Sequence, residues 1–303
     1  MSTTNETIKK NLERVSQLVD QSVQMHSDNF PIFSWLELST IDVCNRSCIF
    51  CPKSDDNIAP NQPHAILPSV LYKKMAAELS DLKYHGTVML AGYGEPMLHP
   101  QLDDLISTFS AVCNTEITTN GDVLNVSRIQ GMLSAGIGKI IVSMYDGPEQ
   151  QEYFKSLFEK ANAPKDAYIL RDRWYDADAD YGIKLTNRGG TISVGDQGEV
   201  DSNHACYYPH YMMMIDWNGD CFLCPHDWNR RKRSGNAMLQ PIIEIWNSKV
   251  LRKYRSRLAS GKRNLSPCSN CNADGTLHGE KHDACWTSYY KAGNRRVRVL
   301  ELN

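Results

Sequence analysis

No apolar run in the 303-residue chain approaches the ~20 residues needed to cross a bilayer as a helix. Charge of either sign is not in excess: 33 basic residues face 35 acidic ones, for a net charge of −2. That balance gives no global basic field of the kind that gathers nucleic acid. The segment Met1–Gln24 is polar and charged and lacks the apolar core of an export signal, so a cytoplasmic protein is expected, with this segment forming an exposed amphipathic helix. There is no internal repeat and no low-complexity tract. Apolar residues make up 41% and charged residues 22%, as in ordinary globular proteins.

What the chain does have is ten cysteines in tight groups. In an exported chain they would form disulfides. In a cytoplasmic one, clustered cysteines are more often metal ligands.

From Trp35 onward short apolar runs alternate with amphipathic stretches. Strands are expected at Trp35–Val43, Thr87–Ala91, Thr115–Thr118, Lys139–Ser143 and Ala167–Leu170, with a weaker one near Gly182–Thr186. Helices are expected at Ser69–Leu82, Gln101–Val112, Val126–Ala135 and Pro148–Asn162, the first with Val70, Leu71, Met75 and Leu79 near helical spacing. Such alternation gives a parallel sheet with right-handed crossovers, and about six units give an α/β partial barrel, (β/α)6, with its site at the C-terminal strand ends. After about Gly190 the alternation fails, and one clear helical segment, Pro241–Leu258, remains. The expected division is 1–34 as a helical extension, 35–195 as the barrel and 196–303 as a small cysteine-rich domain organised by metal.

Cys44, Cys48 and Cys51 follow the first strand directly, in CxxxCxxC spacing. A structural zinc site would call for a fourth protein ligand. Three thiolates can instead hold a [4Fe–4S] cluster with one iron left open, although four cysteines are usual. The spacing, with Phe50 before the last cysteine, resembles the signature of the radical S-adenosylmethionine (radical SAM) superfamily. Gly92-Tyr93-Gly94-Glu95-Pro96 resembles its GGEP segment, with Tyr93 displacing one glycine. Thr118-Thr119-Asn120-Gly121 resembles its third-strand end, and Ser143 with Asp146-Gly147 its fourth, with Tyr145 inserted.

The resemblance implies a cluster on Cys44, Cys48 and Cys51 and S-adenosylmethionine held by Phe50, Gly92, Gly94, Glu95, Thr119, Asn120, Ser143 and Arg171. Asn187-Arg188 is a further candidate pair, and His99 is expected to be structural. It also implies an external electron donor such as flavodoxin or ferredoxin.

The other cysteines admit two groupings. Cys221/Cys224 with Cys268/Cys271 would make a four-thiolate zinc site, but with an intervening loop far longer than the ~15–20 residues of compact zinc ribbons. Cys206, Gly219 and Cys224 resemble the opening of the SPASM and shorter "twitch" domains. That resemblance implies one auxiliary [4Fe–4S] cluster on Cys206, Cys224, Cys268 and Cys271, two clusters in all. Cys221 and Cys285 then remain as candidate hydrogen-atom donors or buried apolar side chains, and Cys113 as a core or loop residue. The implied activity is hydrogen abstraction from a small polar substrate (a sugar, aminocyclitol or aminoglycoside), ending in epimerisation or in dehydrogenation of an alcohol. Peptide modification and a non-enzymatic zinc or iron–sulfur binding module are the alternatives.

Overall fold

The computed structural model describes residues 3–173, 186–193, 199–201 and 203–292. Helix α1 (Thr3–Val19) is followed by β1 (Trp35–Ser39), α2 (Ser69–Asp81), β2 (Thr87–Ala91), α3 (Leu102–Ser110), β3 (Asn114–Thr119), α4 (Val126–Ser134), β4 (Lys139–Met144), α5 (Gln150–Lys160) and β5 (Tyr168–Asp172). Next come α6 (Tyr208–Tyr211), β6 (Met212–Ile215), β7 (Asp220–Phe222), β8 (Arg233–Asn236), α7 (Ile242–Trp246), α8 (Lys249–Ala259) and α9 (Glu280–Lys291).

One sheet runs in the order β5-β4-β3-β2-β1-β6-β7-β8. The first six strands pair in parallel and form the wall of the partial barrel; β7 and β8 are antiparallel. Because strand side chains alternate, each strand serves two cores. Leu36, Leu38, Val88, Leu90, Ile117, Ile140 and Val142 pack on one face, with Leu71, Met75 and Leu79 of α2 and Leu105, Ile106 and Phe109 of α3 in the same core. Trp35, Met89 and Ile141 face the concave side.

The strand near 182–186 lies largely outside the described residues. Elsewhere four expectations are corrected. Helix α1 is amphipathic but not simply exposed: Val15, Leu18 and Val19 pack on Trp35, Met89, Ile141, Tyr211 and Met212 inside the barrel. The alternation resumes at β6, which pairs in parallel with β1 and carries the sheet into the C-terminal region. The single helix at 241–258 is two, because Ser248 caps a new helix by accepting from the Leu251 N–H at 3.3 Å. The first strand ends at Ser39, and the rest of its run bridges Ile41 to Ile66 on the way to the first cysteine.

Candidate active site

A cleft of about 470 Å³ opens at the C-terminal ends of the strands. Cys44, Cys48, Cys51, Phe50, Gly92, Gly94, Glu95, Thr119, Asn120, Arg171 and Arg188 all line it. The backbone turns tightly here. Gly92 sits at φ +86°, and a Cβ on Gly94 would stand 2.1 Å from the Ile41 carbonyl oxygen, so both positions need glycine. Glu95 is buried and accepts from the Met97 N–H (3.0 Å), the Thr119 hydroxyl (2.6 Å) and the Asn120 N–H (2.8 Å). Burial lifts its carboxyl to about 7 despite those three donors. It therefore clamps the end of β3 to the end of β2.

The cysteine loop is held from three sides. Arg46 forks onto Asp122 (2.7 and 2.5 Å) and Asp146 (2.7 and 2.5 Å), the residues just past β3 and β4. Its guanidinium lies 5.4 Å from the Tyr145 ring, which stands 5.5 Å from Phe50. The Asn120 amide donates to Asn45 at 2.8 Å. Lys53 pairs with Asp42 at 2.6 Å, both side chains 1% exposed. Tyr145, the insertion in the fourth-strand segment, thus packs the cluster loop. Ser143 does not line the cleft; its hydroxyl accepts from Arg171 at 2.7 Å.

The three thiols share this loop and act on one another. Burial, then Cys51 and Cys44, push the Cys48 thiol up to about 12, and burial raises Cys44 and Cys51. Crowded, desolvated thiols resist ionising until cations join them, and the irons of a cluster supply those cations. The donor set fits such a group.

A second thiol group lies across the chain. Cys206, Cys224, Cys268 and Cys271 line one small cavity with Tyr208, His226 and Arg263. Burial and then Cys268, Cys271 and Cys206 raise Cys224, and burial carries Cys206 to about 11 and Cys268 to about 12. The buried Arg263 donates to the carbonyls of His204 (2.7 Å), Ala205 (2.9 Å), Cys271 (3.3 Å) and Ala273 (2.9 Å), fixing the loops that carry the thiols. Among the described residues no three His, Cys, Asp or Glu side chains converge on a single metal ion.

Cys221 is not in this group. It is fully buried in the main core on β7, its thiol donating to the Gly219 carbonyl at 3.5 Å. Cys285 is half-buried on α9. Neither lines the cleft. His99 is structural, its Nε2 bonded to the Leu67 carbonyl at 3.0 Å.

Three residues escaped the sequence reading. Glu37 faces the cleft from β1, and burial raises its carboxyl to about 7 against the opposing pull of Arg188, Trp35 and Arg171. The Trp-Leu-Glu-Leu-Ser alternation of β1 places Glu37 on the Trp35 face, a signal that was there to be read. Arg14 pairs with Glu116 and lies 5.3 Å from the Trp35 ring, a contact no local pattern foretells. Arg173, just past β5, also lines the cleft.

A three-thiol loop at the mouth of a partial barrel, with a four-thiol cavity beyond it, makes the chain similar to radical SAM enzymes that carry a C-terminal SPASM-type iron–sulfur domain. The SPASM iron–sulfur cluster-binding domain matches residues 206–272. Over 257 residues (83% of this chain, 98% of the relative) the sequence is 28% identical to the S-adenosyl-L-methionine-dependent 2-deoxy-scyllo-inosamine dehydrogenase of Niallia circulans. A GTP 3',8-cyclase of Mycobacterium tuberculosis is 31% identical over 142 residues, 43% of this chain and 36% of the cyclase. The crystal structure of BtrN with AdoMet and 2-DOIA superposes with a TM-score of 0.69 at 27% identity, covering 84% of this chain and 98% of BtrN. AdoMet-bound anSMEcpe shares the fold (TM-score 0.53, 14% identity, 86% and 97% covered). Among the described residues no helix is long and apolar enough to cross a membrane.

Proposed function

We propose that this enzyme oxidises a secondary alcohol of an aminocyclitol or a closely related polyol to the ketone. The likeness to a 2-deoxy-scyllo-inosamine dehydrogenase over nearly that protein's full length supports the substrate class. The fate of the cysteines supports oxidation over epimerisation. Three belong to the cleft, four to the auxiliary cavity, and the remaining Cys113, Cys221 and Cys285 line neither. An epimerase needs a hydrogen-atom donor beside the substrate, and a thiol outside the cleft is poorly suited to that role.

On this reading Cys44, Cys48 and Cys51 hold one [4Fe–4S] cluster, and Cys206, Cys224, Cys268 and Cys271 hold another. Residues 35–195 form the radical-generating part and 196–303 the auxiliary part, joined through one sheet. With S-adenosylmethionine and a reductant such as flavodoxin or ferredoxin, these groups supply a 5'-deoxyadenosyl radical that takes one hydrogen atom, and an acceptor for the electron left behind. The chain's own residues must orient the cofactor and take the alcohol proton. Phe50, Gly92, Gly94, Glu95, Thr119, Asn120 and Arg171 surround the cofactor's place, with Ser143 holding Arg171. Glu37, a cleft carboxyl lifted to about 7, is matched to accept a proton near neutral pH.

The test is anaerobic turnover of 2-deoxy-scyllo-inosamine with dithionite and S-adenosylmethionine in deuterated buffer. The expected product is two mass units lighter and unlabelled at the oxidised carbon, with one 5'-deoxyadenosine per product. An isomer carrying one solvent deuterium would establish epimerisation instead.

A further inference from the structure

Leu12 and Leu277 come from opposite ends of the described chain, yet both line the radical-site cleft. Both are exposed there, Leu12 by 41% and Leu277 by 60%. A single exposed leucine needs no explanation. Two lining one charged cleft, carried on segments that are bonded to each other, do.

Those segments are held by several independent contacts. Val15, Leu18 and Val19 anchor α1 on the concave face of the sheet, and the buried Arg14–Glu116 pair fixes its level. The far end of α1 is tied to the turn that carries Leu277. Asp20 accepts from the Gly279 N–H at 2.9 Å and pairs with His278 Nδ1 at 2.8 Å. Lys281 reaches the Gln21 carbonyl at 3.2 Å. Helix and turn are therefore joined where they border the cleft.

We infer that Leu12 and Leu277 form an apolar wall of the substrate chamber and determine which ring fits. The inference rests on the small-polyol reading above. A cyclitol ring has polar edges and C–H faces. Its hydroxyl groups suit the cleft arginines, its ammonium suits a carboxylate such as Glu37, and a C–H face released from water suits the two leucines. The selected class is a single six-membered ring with one unsubstituted face, and a second sugar on that side would have to displace the leucines.

The test compares the holoenzyme with its Leu12→Trp and Leu277→Ala variants, using 2-deoxy-scyllo-inosamine and a disaccharide aminoglycoside as probes. Leu12→Trp should raise KM for the cyclitol tenfold or more, while affinity for S-adenosylmethionine changes less than twofold. Leu277→Ala should raise that KM threefold to tenfold and narrow the preference for cyclitol over disaccharide. Unchanged KM in both variants overturns the inference. So does a parallel loss of cofactor affinity, which would assign the wall to the cofactor. If the wild type oxidises neither probe, the small-polyol reading fails by itself. Hydrogen exchange then decides the wall: slow exchange of the α1 amides supports the docked helix, and exchange at the free-helix rate overturns it.

Discussion

Tyr93 and Trp228 pack edge to face with ring centroids 4.6 Å apart, joining the end of β2 to the segment just past Cys224. The Tyr93 hydroxyl donates to the Asp227 carbonyl at 3.2 Å, and Arg230 lies 4.7 Å over its other side. Ala59, Met214 and Phe222 complete this small core. A tyrosine in the segment that resembles GGEP thus links the end of β2 to the segment just past Cys224. Tyr93→Phe should lose one buried hydrogen bond, about 1 kcal/mol of stability. Tyr93→Ala should cost about 3–5 kcal/mol, as for other large-to-small core changes, and loosen the second cluster. Anaerobic denaturant unfolding followed at the cluster absorbance measures both, and equal effects of the two variants would argue that the ring contributes no packing.

Iron content separates the two thiol groups. Anaerobically reconstituted protein should hold about eight irons per chain, and about four after alanine replaces Cys44, Cys48 and Cys51. That triple variant should form no 5'-deoxyadenosine. Alanine at Cys206, Cys224, Cys268 and Cys271 should remove the other four, whereas Cys221→Ala should keep all eight. Iron lost with Cys221 but retained without Cys206 would support the two-CxxC grouping.

Much of this was legible in the sequence, for identifiable reasons. Regular alternation revealed β1 to β5 and α2 to α5, because each element buries one stripe against the next. Glu95, Thr119 and Asn120 were named through the resemblance as cofactor contacts, but their clamp on one another was not legible, because it joins positions 24 and 25 residues apart. Nor was β6: Met212–Ile215 is a four-residue apolar run buried on both faces, indistinguishable by period from any core segment. α9 was hidden because its buried residues, His282, Trp286 and Tyr289, are few and large among polar neighbours. The concave packing of α1 depends on Arg14 meeting Glu116, a pairing across 102 positions that no local pattern encodes.

Arg46 holds two carboxylates that would otherwise repel. Its hydrogen bonds lower the Asp146 carboxyl below its usual range and keep the guanidinium firmly charged. The contribution of Asp146 is present above the ordinary carboxylate value and lost as pH falls below it, and its exposure keeps that contribution small. Arg46→Ala should lower iron at the first site, moving the total from about eight toward about four, and leave the auxiliary cluster in place. Arg46→Lys should rescue only partly, because a point charge cannot fork onto both acids. Full iron occupancy in Arg46→Ala would show that the loop needs no such tie.

Glu37 should give the reaction its pH dependence. Burial is the main cause of its rise to about 7, and the nearby arginines only moderate it. As a proton acceptor it must be ionised, so kcat/KM for the alcohol should climb as pH rises through about 7 and then level. Stability should run the other way. A carboxyl whose folded value exceeds its unfolded one contributes stability at low pH and loses it as pH rises from about 4.5 to about 7. Glu37→Gln should therefore abolish the rising limb, slow product formation by about 10²–10⁴-fold if the proton is transferred to this group, and make the protein relatively more stable than wild type above pH 7. The variant should still split S-adenosylmethionine. A rising limb that survives Glu37→Gln would assign the proton to another group, and the pH profile of 5'-deoxyadenosine formed without substrate shows whether that limb belongs to the cofactor step.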